Sequence, residues 1–120
     1  MKILIQNQEM KILEVIMMVI NKISDKKVKI KPEGRIDFTN SQDFKKDLMN
    51  LLDEGFIEVI IDFEKIESID SSALGKLLLF QKKLKDRDGK LKIINIASDY
   101  IKNMFDMIHL NKVIDIEDIK

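Results

Sequence analysis

Hydrophobic positions along the chain change their period several times, and each change marks an element. Ile12 to Ile20 is almost continuously apolar, broken by Glu14, and Val28 to Lys31 follows after the polar stretch Asn21-Lys22-Ile23-Ser24-Asp25-Lys26-Lys27. These read as two strands around a turn. A short continuous apolar run also suits a buried helix, and pattern alone does not separate the two. The first ten residues suit either an extra strand or a loose arm.

After Pro32-Glu33-Gly34 the period lengthens. Phe44, Leu48, Leu51 and Leu52 recur at helical spacing behind the cap-like cluster Thr39-Asn40-Ser41, which predicts a helix from Ser41 to Glu54 ended by Gly55. Phe56 to Phe63 has only Glu58 and Asp62 as polar breaks, the pattern of a central strand covered on both faces. Leu74, Leu77, Leu78 and Leu84 predict a second helix from Ser71 to Lys85, followed by the turn Asp86-Arg87-Asp88-Gly89 and a strand at Leu91 to Ile96. A strand, helix, strand unit of this length implies a parallel pair joined by a right-handed crossover. Ser98 suits the N-cap of a third helix in which Ile101, Met104, Phe105 and Ile108 line one face. Val113, Ile114 and Ile116 then form a short closing strand. The class that follows is α/β, a mixed sheet of about four to five strands with three main helices packed on it.

Composition narrows what such a domain does. The 120 residues suffice for one core, so residues 1–120 are expected to form a single domain. Basic and acidic residues each number 21, which leaves no domain-wide field to draw in nucleic acid or anionic lipid. The expected partners therefore include neither nucleic acid nor a membrane. The absence of cysteine removes disulfides, thiolate nucleophiles and cysteine-ligated zinc together. No apolar run approaches the roughly 20 residues of a membrane-spanning helix, and the start of the chain lacks a small-residue cleavage site. A cytoplasmic protein is the expectation.

The segment Ile66-Glu67-Ser68-Ile69-Asp70-Ser71-Ser72-Ala73-Leu74-Gly75 joins the core strand to the second helix. It gathers an acid and two hydroxyls where that helix begins, a functional position in α/β folds. A helix start offers unpaired N–H groups and the positive end of a dipole, so an anionic group there is stabilised. On local pattern alone, Asp70 serves equally well as an N-cap with the serines filling the first turn.

Asp70-Ser71-Ser72-Ala73-Leu74-Gly75 resembles the Asp-Ser-(Ser/Thr/Ala)-Gly-(Leu/Ile)-Gly signature of STAS domains, the fold of anti-sigma-factor antagonists and of the cytoplasmic tails of sulfate transporters. Gly34-Arg35-Ile36-Asp37 resembles the family's Gly-x-Leu-Asp, which ends the strand before the first helix. Val59-Ile60-Ile61-Asp62-Phe63 resembles its buried strand, and Ile108-His109-Leu110-Asn111-Lys112-Val113 its turn into the last strand. The likeness spans roughly residues 28–116; residues 1–27 lie ahead of it and are expected to hold an N-terminal strand, preceded by the extra strand or loose arm of the first ten residues. Ala73 stands where most members carry glycine; alanine is the better helix former by about 1 kcal/mol but leaves a partner less room.

The resemblance implies a partner-switching regulator rather than an enzyme. Ser71, directly after the aspartate, occupies the position phosphorylated in antagonists; its alternative is an unmodified first-turn hydroxyl. Asp37, Asp70 and Ser72 would form the surrounding partner-binding surface, although Asp37 also suits a cap for the first helix and Ser72 a packing or capping role. The implied partners are an anti-sigma factor with serine-kinase activity and a serine phosphatase. No cofactor is implied, because ATP and magnesium would be held by the kinase. A STAS scaffold in a stressosome-like or transporter-associated assembly is the nearest alternative.

A small serine hydrolase is the rival from another class. It would need a base near Ser71 or Ser72, and the chain has one histidine, His109, and no GxSxG elbow. One histidine also rules out a paired-histidine metal site. Met17, Met18, Met104 and Met107 follow apolar stripes and read as core or groove lining. Lys82, Lys83, Lys85 and Arg87 read as a solvated face, and no glycine-rich phosphate loop is present.

Overall fold

The computed structural model describes residues 16–117. The expected arm at the first ten residues, and the strand start at Ile12 to Val15, lie outside them. The elements run β1 (Met18–Lys22), β2 (Lys27–Pro32), β3 (Gly34–Ile36), α1 (Ser41–Asp53), β4 (Glu58–Asp62), β5 (Ile66–Ile69), α2 (Ser71–Lys85), β6 (Lys90–Ile94), α3 (Asp99–Met107), a 3-10 turn at Leu110–Lys112 and β7 (Asp115–Glu117). The main sheet is five-stranded and mixed, in the order β1-β2-β4-β6-β7. Only β1 and β2 pair antiparallel, through the short turn after Lys22; the other neighbours are parallel.

Register explains the core. Val28, Val59 and Leu91 lie in one row across β2, β4 and β6, and Ile30, Ile61 and Ile93 in the next. All six are at most 1% exposed, because every second residue of a strand points to the same face. Phe44 and Leu48 of α1 and Leu77 and Phe80 of α2 close over this face. The opposite face carries Lys29, Ile60 and Lys92, all half-buried. Here the structure corrects the expectation that β4 is covered on both faces. Ile60 lies in a row of lysine stems, whose charges pair at the strand ends: Lys31 with Glu64 at 2.7 Å and Lys92 with Glu117 at 3.2 Å. Long basic side chains cover such a face with their methylenes while keeping the charge in water.

Two helical stripes also differ from expectation. In α2 the buried residues are Ala73, Leu77, Phe80 and Leu84, whereas Leu78 is 36% exposed. One helical step of 100° past Leu77 turns Leu78 out of the stripe. In α3 Ile101 and Phe105 are buried, but Ile108 is the C-cap and faces solvent. Val113 is exposed as well, and Ile114 is buried ahead of β7 rather than in it.

A second, two-stranded parallel sheet of β3 and β5 stands beside the main one. Asp62 anchors the chain where β4 turns toward β5. Its carboxylate is buried, accepting from the Glu64 N–H at 2.9 Å and the Asn95 Nδ2 at 3.2 Å, with Lys29 Nζ at 4.0 Å. Asn95 adopts a left-handed backbone, φ 58°, which asparagine tolerates better than most residues. Asp62 thus ties the β4–β5 turn to the segment after β6.

Gly89 and Gly75 have opposite reasons for their lack of a side chain. A Cβ at Gly89 would lie 2.2 Å from the Ile57 carbonyl oxygen, which accepts the Lys90 N–H at 2.8 Å. A Cβ at Gly75, on the exposed side of α2, would meet nothing within 4 Å. Gly89→Ala is therefore expected to destabilise the domain by about 1 to 3 kcal/mol, and Gly75→Ala to stabilise it by about 0.4 to 1 kcal/mol. Denaturant titration of the two variants beside the parent checks both signs.

Candidate functional site

The pairing of β3 with β5 brings together residues 33 positions apart. Ile36 and Ile69 are partners in the ladder, and the Asp70 N–H continues it to the Ile36 carbonyl at 3.2 Å. The residues that follow, Asp37 and Asp70, thus leave adjacent strand ends, and α1 and α2 start close by. Sequence spacing alone does not show this neighbourhood, because β3 has three residues and β5 four, too few to display a strand period.

Asp70 is the N-cap of α2. It has extended backbone, φ −109° and ψ −179°, and its Oδ1 accepts from the Ala73 N–H at 3.0 Å. Its own carbonyl accepts the Leu74 N–H at 2.9 Å. The side chain thus satisfies one of the N–H groups that a helix start leaves unpaired, and the Leu74 bond is the first of the helix's own ladder. The other carboxylate oxygen, Oδ2, accepts from the Phe38 N–H at 3.0 Å. One side chain therefore both starts α2 and holds the loop before α1.

Ser71 is the first residue of α2 and is exposed. Ser72 turns the other way: its Oγ lies 2.9 Å from Oγ of Ser41, which is 2% exposed. The hydroxyl pair joins the first turns of α1 and α2. Of the two serines, only Ser71 presents its side chain outward. Neither hydroxyl is hydrogen-bonded to a carboxylate, lysine or histidine of the described residues, and His109 occupies the left-handed turn after α3, φ 56°. Nothing in this arrangement supplies the base of a nucleophilic serine.

Asp37 is half-buried, and its carboxylate does not cap α1. Its Oδ1 accepts from Thr39 Oγ1 at 2.5 Å and the Thr39 N–H at 3.0 Å. These bonds, the hydroxyl first and the amide second, with Arg35 nearby, hold its carboxyl below the usual carboxylate range. Asn40 completes the loop by accepting the Asp37 N–H at 2.8 Å and donating to the Arg35 carbonyl at 2.9 Å. Sequence reasoning passed over Phe38, which is 76% exposed in the middle of this loop. It also passed over Ser41 as the partner of Ser72; the Thr39-Asn40-Ser41 cluster marked a helix start but not a contact with α2. Among the described residues no cluster of acids or histidine suits a metal ion, and no helix is long and apolar enough to cross a membrane.

A parallel-centred mixed sheet with an antiparallel first strand, three helices and an outward serine after a capping aspartate defines a class of α/β domain. The family model for the STAS domain matches residues 17–119, and the chain belongs to that family. Among solved structures, a putative anti-sigma factor antagonist from Thermotoga maritima superposes with a TM-score of 0.76 at 20% identity, covering 82% of this chain and 84% of that one. The anti-sigma factor antagonist SpoIIAA in its unphosphorylated form gives 0.68 at 17% identity, with 87% and 90% covered. SpoIIAA of Bacillus in its phosphorylated form gives 0.68 at 18% identity, with 87% and 92% covered. At these identities the likeness is one of fold.

Asp70→Ala is expected to cost at least the loss of a cap, about 0.5 to 2 kcal/mol, and to fall in the upper part of that range because the Phe38 N–H loses its acceptor as well. Thermal melts measure it. Thr39→Val is expected to raise the Asp37 carboxyl toward the ordinary carboxylate range, read by NMR titration of its carboxyl carbon. The folded-state value is depressed, so the stabilisation from Asp37 is complete above the unfolded value and is lost as pH falls through the folded one. The valine variant should lose less stability on acidification than the parent.

Proposed function

We propose that this chain is an anti-sigma-factor antagonist: unmodified, it binds an anti-sigma factor with serine-kinase activity, and phosphorylation of Ser71 releases it. The observation that carries this reading is the outward placement of Ser71 at the start of α2, one residue after a capping aspartate whose carboxylate is already committed within the domain. The fold shared with anti-sigma factor antagonists supports it.

The chemistry belongs to the partner. The Ser71 hydroxyl oxygen would attack the γ-phosphorus of ATP in the kinase's site, the bond to ADP would break, and the serine proton would pass to a base of the kinase. What this chain contributes is position. Ser71 stands on a helix that Asp70 starts at a fixed place, and Ser72 is turned inward. Asp37 and Asp70 border the hydroxyl as parts of the docking surface, and a serine phosphatase would restore the free serine.

A phosphate adds about −1.5 to −2 charge. At an exposed helix start a negative charge contributes about 0.3 to 1 kcal/mol to stability. A like-charge juxtaposition in an interface costs several kcal/mol. The asymmetry allows modification to alter binding while leaving the fold intact.

Ser71→Asp is therefore expected to keep the parent's melting behaviour and to bind an anti-sigma serine kinase of the same organism at least about tenfold more weakly. Ser71→Ala should bind normally and take no phosphate. Ser72→Ala should still be phosphorylated, while losing about 1 kcal/mol of stability with its bond to Ser41. Mass spectrometry after incubation with kinase and ATP locates the phosphate. Modification at Ser68, at Ser72 or nowhere, or tight binding by Ser71→Asp, defeats the proposal.

A further inference from the structure

Phe38 leaves 76% of its surface in water, yet the loop that carries it is held at every neighbouring residue. Its own N–H is bonded to Asp70 Oδ2 at 3.0 Å. Before it, the Asp37 N–H is held by Asn40 Oδ1 at 2.8 Å; after it, Thr39 is held by Asp37 through both its amide and its hydroxyl. The Asp37 carbonyl also accepts the N–H groups of Asn40 at 3.1 Å and Ser41 at 2.8 Å. Single exposed apolar residues are ordinary on protein surfaces. Phe38 differs in that its backbone is held by the carboxylate that also caps α2, which ties the loop carrying the exposed ring to the helix start carrying Ser71.

We propose that Phe38 is the aromatic anchor of this chain, entering an apolar pocket of the serine-kinase partner while Ser71 enters that partner's active site. The inference rests on the function proposed above and adds a determinant of partner choice to it. A few aromatic anchors that become fully desolvated supply most of the affinity of an interface. A ring already held on a fixed backbone loses little freedom on docking. The bonds of Asp70 to Phe38 and to Ala73 set the spacing between anchor and phospho-acceptor, so only a kinase with its pocket at the matching distance from its active site would engage both.

The test uses the full chain and, as probe, a purified anti-sigma serine kinase of the same organism. Phe38→Ser should keep the parent's melting temperature, because the ring is not part of the core. It should weaken kinase binding by at least about tenfold. In phosphorylation assays it should raise KM with kcat near the parent's, the signature of lost docking away from the reacting hydroxyl. Phe38→Leu should recover part of the affinity. Val19→Thr, at a site 63% exposed on the edge strand β1, should bind as the parent does. Parent-like binding and KM for Phe38→Ser overturn the anchor while leaving Ser71 phosphorylation intact. An equal loss in Val19→Thr overturns it too, since the effect is then not particular to the loop. Loss of a self-associated state in gel filtration with unchanged kinase binding would assign Phe38 to contact between copies of the chain, against the proposal. If the parent takes no phosphate on Ser71, the proposed function itself has failed and the anchor with it.

Discussion

The Asp70 carboxylate is the constraint on which the geometry of the site depends. Its two oxygens accept from N–H groups of different segments, Ala73 in the first turn of α2 and Phe38 in the loop ahead of α1. A carboxylate with both oxygens bonded to backbone donors is oriented without help from a counter-ion, and charge-assisted bonds of this kind are stronger than neutral ones. The start of α2 and the loop before α1 therefore hold a set relation, and the hydroxyl of Ser71 takes its place from it.

The remaining architecture serves to bring Asp70 to that point. Rows of valine, isoleucine and leucine across β2, β4 and β6 form the buried floor. Asp62 holds the turn that leads off β4, and the short β3–β5 ladder then carries the chain to the capping position. The Ser41–Ser72 hydroxyl pair joins the two helix starts from inside. Polar groups are otherwise costly in a core, and the buried side chains of Ser41 and Asp62 are both paired. The Asp70 bonds fix the two helix starts relative to each other on the side where Ser71 is exposed.

Nucleophilic serine chemistry needs a base within hydrogen-bond reach and donors aimed at a developing oxyanion. Here the inward hydroxyl of Ser72 meets another hydroxyl, and the outward hydroxyl of Ser71 meets solvent. On the function proposed above, the unpaired N–H groups and the dipole at this helix start would favour the charge of a phosphate on Ser71.

By itself the sequence determined the elements that carry a period. Helices α1 and α2, the buried strand β4, the cap at Ser98 and the end of α1 at Gly55 were legible because side-chain spacing and capping chemistry are local. The Asp70-Ser71 signature was legible as well, as a motif at a strand-to-helix junction. Tertiary structure alone decided the β3–β5 ladder, whose strands are too short to show alternation, and with it the adjacency of the strand ends from which Asp37 and Asp70 leave. It also decided which way each side chain faces: Ser72 toward Ser41, Leu78 and Ile108 outward, Ile60 on an open face, Phe38 into water. Periodicity says that a face exists, but what covers that face is set by contacts between residues far apart in the chain. Whether Asp70 only caps α2 was beyond the sequence for the same reason, since its second acceptor bond reaches a residue 32 positions away.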